Sequence, residues 1–179
     1  PELLEAFHDR GLTTFLVSNG TRPEVLAECD PTQLYVSVDA PERATFDDVV
    51  GATEDDAWES LIDTLDVLAE KEETRTVLRT TLVNGENMTN PDWYAGLYRR
   101  ADPDFVELKA YMHVGHSRGR LDRDSMPSPE TVEDFAARVG EHMPDHPVIK
   151  VQEASSVALL ARDEETWVPE LAPGGGFYD

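Results

Sequence analysis

The chain has 179 residues, a formal net charge of −22, 40% hydrophobic residues and one cysteine, Cys29. That length suits a domain with a real core, and a lone thiol excludes an internal disulfide or an all-cysteine metal site. No apolar run could span a bilayer and no basic-then-apolar leader opens the chain, so a cytoplasmic protein without membrane attachment is expected.

The 37 acidic residues are dispersed through amphipathic segments and not gathered in a tail. This favours a halophile's carboxylate surface over disorder or nucleic-acid mimicry. ELLEAFHDRG places Leu3, Leu4 and Phe7 at helical spacing with Gly11 as the cap, which predicts a short helix. TTFLVS (13–18) is a continuous apolar run, expected to form a strand buried on both faces. RPEVLAE (22–28) has a proline near a helix start, and LYVSV (34–38) predicts a second buried strand. In 55–70, Trp58, Leu61, Ile62, Leu65 and Leu68 share one stripe of an amphipathic helix.

TRTVLRTTLV (74–83) then predicts a strand, and Asn90 before Pro91 opens a helix through Arg100. DFVELK (104–109) is a further strand, followed by an irregular loop, YMHVGHSRGRLDR (111–123). Ser128–Pro129–Glu130 is a strong helix start leading to about His142. VIKVQ and VALLAR are two more strands, and the glycine-rich end reads as a frayed tail. This alternation defines an α/β protein of mostly parallel strands alternating with helices, closed as a barrel wall or open as a sheet. In either case ligands are expected at the carboxyl ends of the strands.

Several polar clusters fall at those ends. Ser18 and Asn19 could hydrogen-bond a ligand while Gly20 lets backbone come close, or the set could be a tight turn. Ser37 and Asp39 straddle the end of the next strand, where Asp39 could meet a ribose hydroxyl or cap the loop. Arg79 and Thr81 share a strand face; an arginine in an apolar strand is expected to be paired or to bind an anion. Asn84–Gly85–Glu86–Asn87–Met88 forms a polar loop at the same end. Lys109, one of three lysines, is a candidate for carboxylate binding or a Schiff base, with an ion pair to Glu107 as the plain alternative.

His113 and His116 lack a third ligand at metal-binding spacing, so no metal site is expected. Arg118, Arg120 and Arg123 suit phosphates, whereas Tyr111 and the histidines could stack on unpaired bases. Alternatively the arginines pair with Asp122 and Asp124 and only pin the loop.

FLVSNGTRPEVL, LYVSVDAP, RTVLRTTLVNGENM, PDFVELKAYMHVGHSRGRLDRDSMPS and EASSVALLAR, in this order across roughly 1–162, resemble the archaeal 4-demethylwyosine synthases. These are radical S-adenosylmethionine enzymes that act on tRNA. The resemblance implies the C-terminal part of a radical-SAM (β/α) barrel, with residues 1–110 as barrel core, 111–162 as a wyosine-base-formation region and 163–179 as a flexible tail. It implies a lyase-class enzyme that converts 1-methylguanosine, next to the anticodon of phenylalanine tRNA, to 4-demethylwyosine using pyruvate. The implied cofactors are S-adenosylmethionine and [4Fe-4S] clusters.

By the same resemblance, Ser18, Asn19, Ser37, Asp39, Arg79 and Thr81 would contact the cofactor, and Lys109 would be catalytic. His113, His116, Arg118, Arg120 and Arg123 would meet pyruvate or the tRNA. The family's CxxxCxxC motif is missing here, so the expectation is a piece of a longer enzyme, inactive alone, with an exposed barrel edge open to self-association. A stand-alone tRNA-binding module and a cluster-free pyruvate lyase using Lys109 are the alternatives.

Overall fold

The buried apolar runs of the sequence assemble into one six-stranded sheet, seen in a computed structural model that describes residues 1–162. Strands β1 (Phe15–Ser18), β2 (Gln33–Ser37), β3 (Arg75–Leu82) and β4 (Phe105–Ala110) run parallel. Beyond β4 the sheet turns antiparallel, with β6 (Val157–Ala161) beside β4 and β5 (Val148–Gln152) on the edge. The order is therefore β1-β2-β3-β4-β6-β5. Parallel neighbours require long crossovers, and these carry the helices: α2 (Pro23–Ala27), α3 (Arg43–Val49) with α4 (Ala57–Ala69), and α5 (Pro91–Ala101). α6 (Pro129–Gly140) links β4 to the closing hairpin.

Local signals explain most of these boundaries. α1 (Glu2–His8) ends in a Schellman pattern, in which Leu12 N–H donates to the Phe7 carbonyl and Gly11, at φ +70°, donates to that of His8. Ser128 caps α6 by accepting from Thr131 N–H at 3.2 Å, with Pro129 at the first helical position. Asn90 stands at the start of α5 in the left-handed region and makes no side-chain cap.

One core contains Leu26, Phe46, Leu61, Leu65, Leu68, Tyr94, Tyr98, Val132 and Phe135 from α2–α6, packed on Leu34, Val36, Leu78, Leu82, Val106, Leu108 and Leu160 of the sheet. Since strand side chains alternate between faces, the intervening residues lie on the other face. There Tyr35, Val77, Phe105, Leu159 and Ala161 form a smaller apolar cluster near the strand beginnings. Toward the carboxyl ends the same face becomes polar, with Ser37, Arg79, Thr81, Glu107 and Lys109 in register across β2, β3 and β4.

One expectation needs correction, and one element was not foreseen. β1 is an edge strand of the sheet and is not buried on both faces: Phe15 is 50% and Val17 47% exposed. The helix α3 carries one buried side chain, Phe46, too weak a stripe to be seen in the sequence. The glycine-rich end expected to be frayed lies outside the described residues. Among the described residues no helix is long and apolar enough to cross a membrane.

Candidate functional site at the strand ends

The ends of β2 and β3 are tied by side chains where the strand ladder stops. Val38 N–H still donates to the Arg79 carbonyl at 2.9 Å. One residue on, Asp39 Oδ1 replaces a backbone acceptor and takes the Thr81 N–H at 2.7 Å. Asn87, fully buried, completes the knot. Its Nδ2 donates to the Asp39 carbonyl at 2.9 Å and the Thr81 carbonyl at 2.8 Å, and its Oδ1 accepts Val83 N–H at 2.7 Å. Beneath, Thr80 Oγ1 donates to the Val38 carbonyl at 2.6 Å and so accepts from the Tyr98 hydroxyl, also at 2.6 Å. Burial pushes the Asp39 carboxyl above its ordinary range, opposed by the Thr81 N–H and the Arg79 guanidinium. Asp39 thus anchors β3 and does not cap its own loop.

Ser18 and Asn19 are largely engaged in the turn after β1. Ser18 Oγ accepts from Gly20 N–H at 3.1 Å, and Asn19 Oδ1 accepts from both Thr21 N–H and its hydroxyl. Gly20 sits at φ +75°, and a Cβ there would stand 2.8 Å from Leu61 Cδ1. Its carbonyl accepts from Thr64 Oγ1 at 2.7 Å. The close approach that needs this glycine is therefore to α4, not to a ligand.

On the polar face, Glu107 lies opposite Arg79 and one alternation before Lys109. It is only 8% exposed and accepts a long hydrogen bond, 3.4 Å, from the Tyr35 hydroxyl. Burial raises its carboxyl above the ordinary range, while Arg79, Lys109 and Tyr35 pull it down. Arg79 also stacks over Tyr35, 6.0 Å from the ring centroid. Arg79 and Lys109 thus flank the Glu107 carboxyl, and Arg79 also acts on that of Asp39. The other lysines are placed differently. Lys71 is fixed by the carbonyls of Ala27 and Cys29 and by Asp30, and Lys150 is on the edge strand β5.

The loop after β4 begins with Tyr111, whose N–H donates to the Leu82 carbonyl at 2.8 Å. At 6% exposure it is not free to stack on a base, contrary to expectation. Its hydroxyl contacts His113 Nδ1 and Ser117 Oγ. Arg118 donates to the His113 carbonyl and Arg120 to that of Val49. Among the described residues neither they nor Arg123 pair with Asp122 or Asp124. His116, Arg118, Arg120 and Arg123 are exposed, and His113 is half-buried.

Lys109, Arg79, Thr81, Ser37 and Asp39 therefore share one end of the sheet. Ser18 lies on β1, beyond β2, and the arginines form a separate rim on the loop. Glu107, expected only as an ion-pair partner of Lys109, and Asn87, expected only as part of a polar loop, join this cluster together with Tyr35, which carries no such expectation. A glutamate inside the apolar run FVELK was the available signal. Among the described residues no group of three His, Cys, Asp or Glu side chains could hold a metal ion. Cys29, buried and alone, does not fit the ligand set of an iron–sulfur cluster.

Residues 100–162 match the family described as wyosine base formation. The chain is 45% identical over 168 residues to the S-adenosyl-L-methionine-dependent tRNA 4-demethylwyosine synthase of Pyrococcus horikoshii, covering 91% of this chain and 49% of that protein. A solved structure of TYW1 with a lysine–pyruvate adduct bound superposes with a TM-score of 0.81 at 40% identity, over 90% of this chain and 51% of the other. Coproporphyrinogen III oxidase from Escherichia coli, a radical SAM enzyme, shares the fold at 15% identity with a TM-score of 0.58, over 92% of this chain and 40% of its own. Residues 100–162 thus carry the wyosine base formation pattern, and the chain is similar to S-adenosyl-L-methionine-dependent tRNA 4-demethylwyosine synthases over about half the length of the curated relatives it matches.

Proposed function

We propose that this chain is the C-terminal half of an enzyme that converts 1-methylguanosine of phenylalanine tRNA to 4-demethylwyosine with pyruvate and S-adenosylmethionine. One observation carries the reading. The wyosine base formation match, residues 100–162, contains Lys109, which is in register with Thr81 on the face that also carries Ser37 and Arg79, and the loop with His113 that follows β4. On this reading residues 1–110 form part of the barrel wall and 111–162 the wyosine-forming region.

Each group has a task its chemistry suits. Ser37, Thr81 and the carboxylate of Asp39 would hold the polar parts of S-adenosylmethionine, whose radical chemistry would be initiated by a [4Fe-4S] cluster bound outside this chain. Lys109 and Arg79, with Glu107 between them, would seat the carboxylate of pyruvate. Arg118, Arg120, Arg123 and His116 would line the approach of the tRNA backbone, each guanidinium suited to a phosphate.

The test joins the chain to an upstream half bearing CxxxCxxC and supplies tRNA containing 1-methylguanosine, pyruvate, S-adenosylmethionine and a reductant. Mass spectrometry of the nucleosides should show 4-demethylwyosine, and its absence would overturn the proposal. Replacing Lys109 by Met should raise the KM for pyruvate. Borohydride trapping with pyruvate, in which hydride reduces the imine formed by loss of water, separates this role from a covalent one: an adduct on Lys109 would mean it is the Schiff-base lysine.

A further inference from the structure

The loop after β4 contains a chain of hydrogen bonds whose proton count has one solution. Ser117 Oγ donates to the Val114 carbonyl at 2.6 Å, and a carbonyl can only accept, so the serine's single proton is committed. The Tyr111 hydroxyl, 3.0 Å from Ser117 Oγ, must then be the donor in that pair. Its proton is committed in turn. The remaining contact, Tyr111 hydroxyl to His113 Nδ1 at 3.3 Å, has one available donor, the Nδ1–H. A neutral His113 is therefore fixed with its proton on Nδ1 and a lone pair on Nε2.

The surroundings hold this arrangement. The Tyr111 phenol is buried and its backbone is bonded to the end of β3. The two rings meet edge to face, at 83° and 6.4 Å between centroids. Arg118 Nε donates to the His113 carbonyl at 3.1 Å and fixes the backbone. The other histidines differ: His8 bonds Thr14, His146 is buried on the Pro103 carbonyl, and His116 and His142 are exposed.

We infer that His113 is a proton acceptor of the strand-end site, acting through Nε2 on an N–H or O–H of the ligand. The inference rests on the proposed function, which puts a ligand over the ends of β3 and β4. In the step, the Nε2 lone pair takes the proton, the ligand's N–H or O–H bond breaks, and its electron pair stays on the ligand. The resulting imidazolium keeps donating Nδ1–H to the Tyr111 oxygen, while Tyr111 and Ser117 retain their own protons. Tyr111 and Ser117 are positioning residues that orient the base through their hydrogen bonds.

Long-range proton–nitrogen correlation on the 15N-histidine-labelled chain, at a pH where the imidazole is neutral, reads the tautomer directly. His113 should show a protonated Nδ1 and an unprotonated Nε2, and Tyr111→Phe should release it to a mixture. An Nε2–H form, or an averaged pattern in the wild type, would overturn the inference. In the joined enzyme, His113→Ala and His113→Gln should each lower product formation by about 100-fold or more while pyruvate binding is retained. Unchanged turnover in both variants would remove the proton acceptor and leave the proposed function standing. A wild-type enzyme that makes no product would remove both.

Discussion

Asn87→Asp tests how the site is held. The substitution preserves shape and keeps an oxygen for Val83 N–H, but replaces the Nδ2 donor by an acceptor. That donor now serves two carbonyls, of Asp39 and Thr81, at 2.9 and 2.8 Å. A buried hydrogen bond contributes about 0.5–1.5 kcal/mol net, and an acceptor left unpaired costs about 1–3 kcal/mol. Losing both bonds while pressing a carboxylate against two carbonyls should therefore cost about 3 kcal/mol, a large share of the roughly 5–15 kcal/mol that holds a domain together. The new carboxyl can recover one bond only by staying protonated in the folded state, so its folded pKa must lie above its unfolded one. The folded protein then binds more protons, and the penalty must grow as pH rises from the ordinary carboxylate range. Urea unfolding of wild type and variant between about pH 5 and pH 8 measures this difference. A loss below about 1 kcal/mol, or one that does not change with pH, would refute the hydrogen-bond assignment around Asn87.

Thr80→Val removes the acceptor of the Tyr98 hydroxyl and should cost about 1–3 kcal/mol. Adding Tyr98→Phe should cost less than in the wild type, and additive losses in urea unfolding would exclude the coupling. Glu107 has a folded pKa raised by burial, so its contribution to stability is lost as pH rises above the ordinary glutamate range. Glu107→Gln should flatten that decline in thermal melts, and an unchanged slope would count against it. With a net charge of −22, the melting temperature should climb as potassium chloride rises from about 0.1 M to 1 M and the screening length falls from about 10 to 3 Å. A flat response would show that self-repulsion is not limiting.

The elements most legible in the sequence are those whose neighbours repeat their signal. α4 shows its stripe because Leu61, Leu65 and Leu68 all face one core, and β2 reads as buried because it has strands on both sides. β1 has the same apolar spelling, yet an edge position leaves Phe15 and Val17 half exposed, and no local pattern reports how many strands surround a strand. The antiparallel turn of β5 and β6 is hidden for a similar reason: VIKVQ and VALLAR carry no mark of direction. In the site, Lys109 and Arg79 were visible as charges in apolar strands. Glu107 was read as a mere partner for Lys109, and Asn87 only as part of a polar loop, because their roles depend on register and three-way hydrogen bonding.

β3 and β4 assign opposite duties to adjacent residues. Leu78, Thr80 and Leu82 belong to the helix side and its core, while Arg79 and Thr81 lie between them on the opposite, polar face. Leu108 and Lys109 repeat the division. Folding and chemistry are therefore interleaved at single-residue spacing yet kept physically apart by the thickness of one sheet. A substitution at every second position of β3 or β4 can therefore change the polar face without altering a side chain of the core beneath the helices.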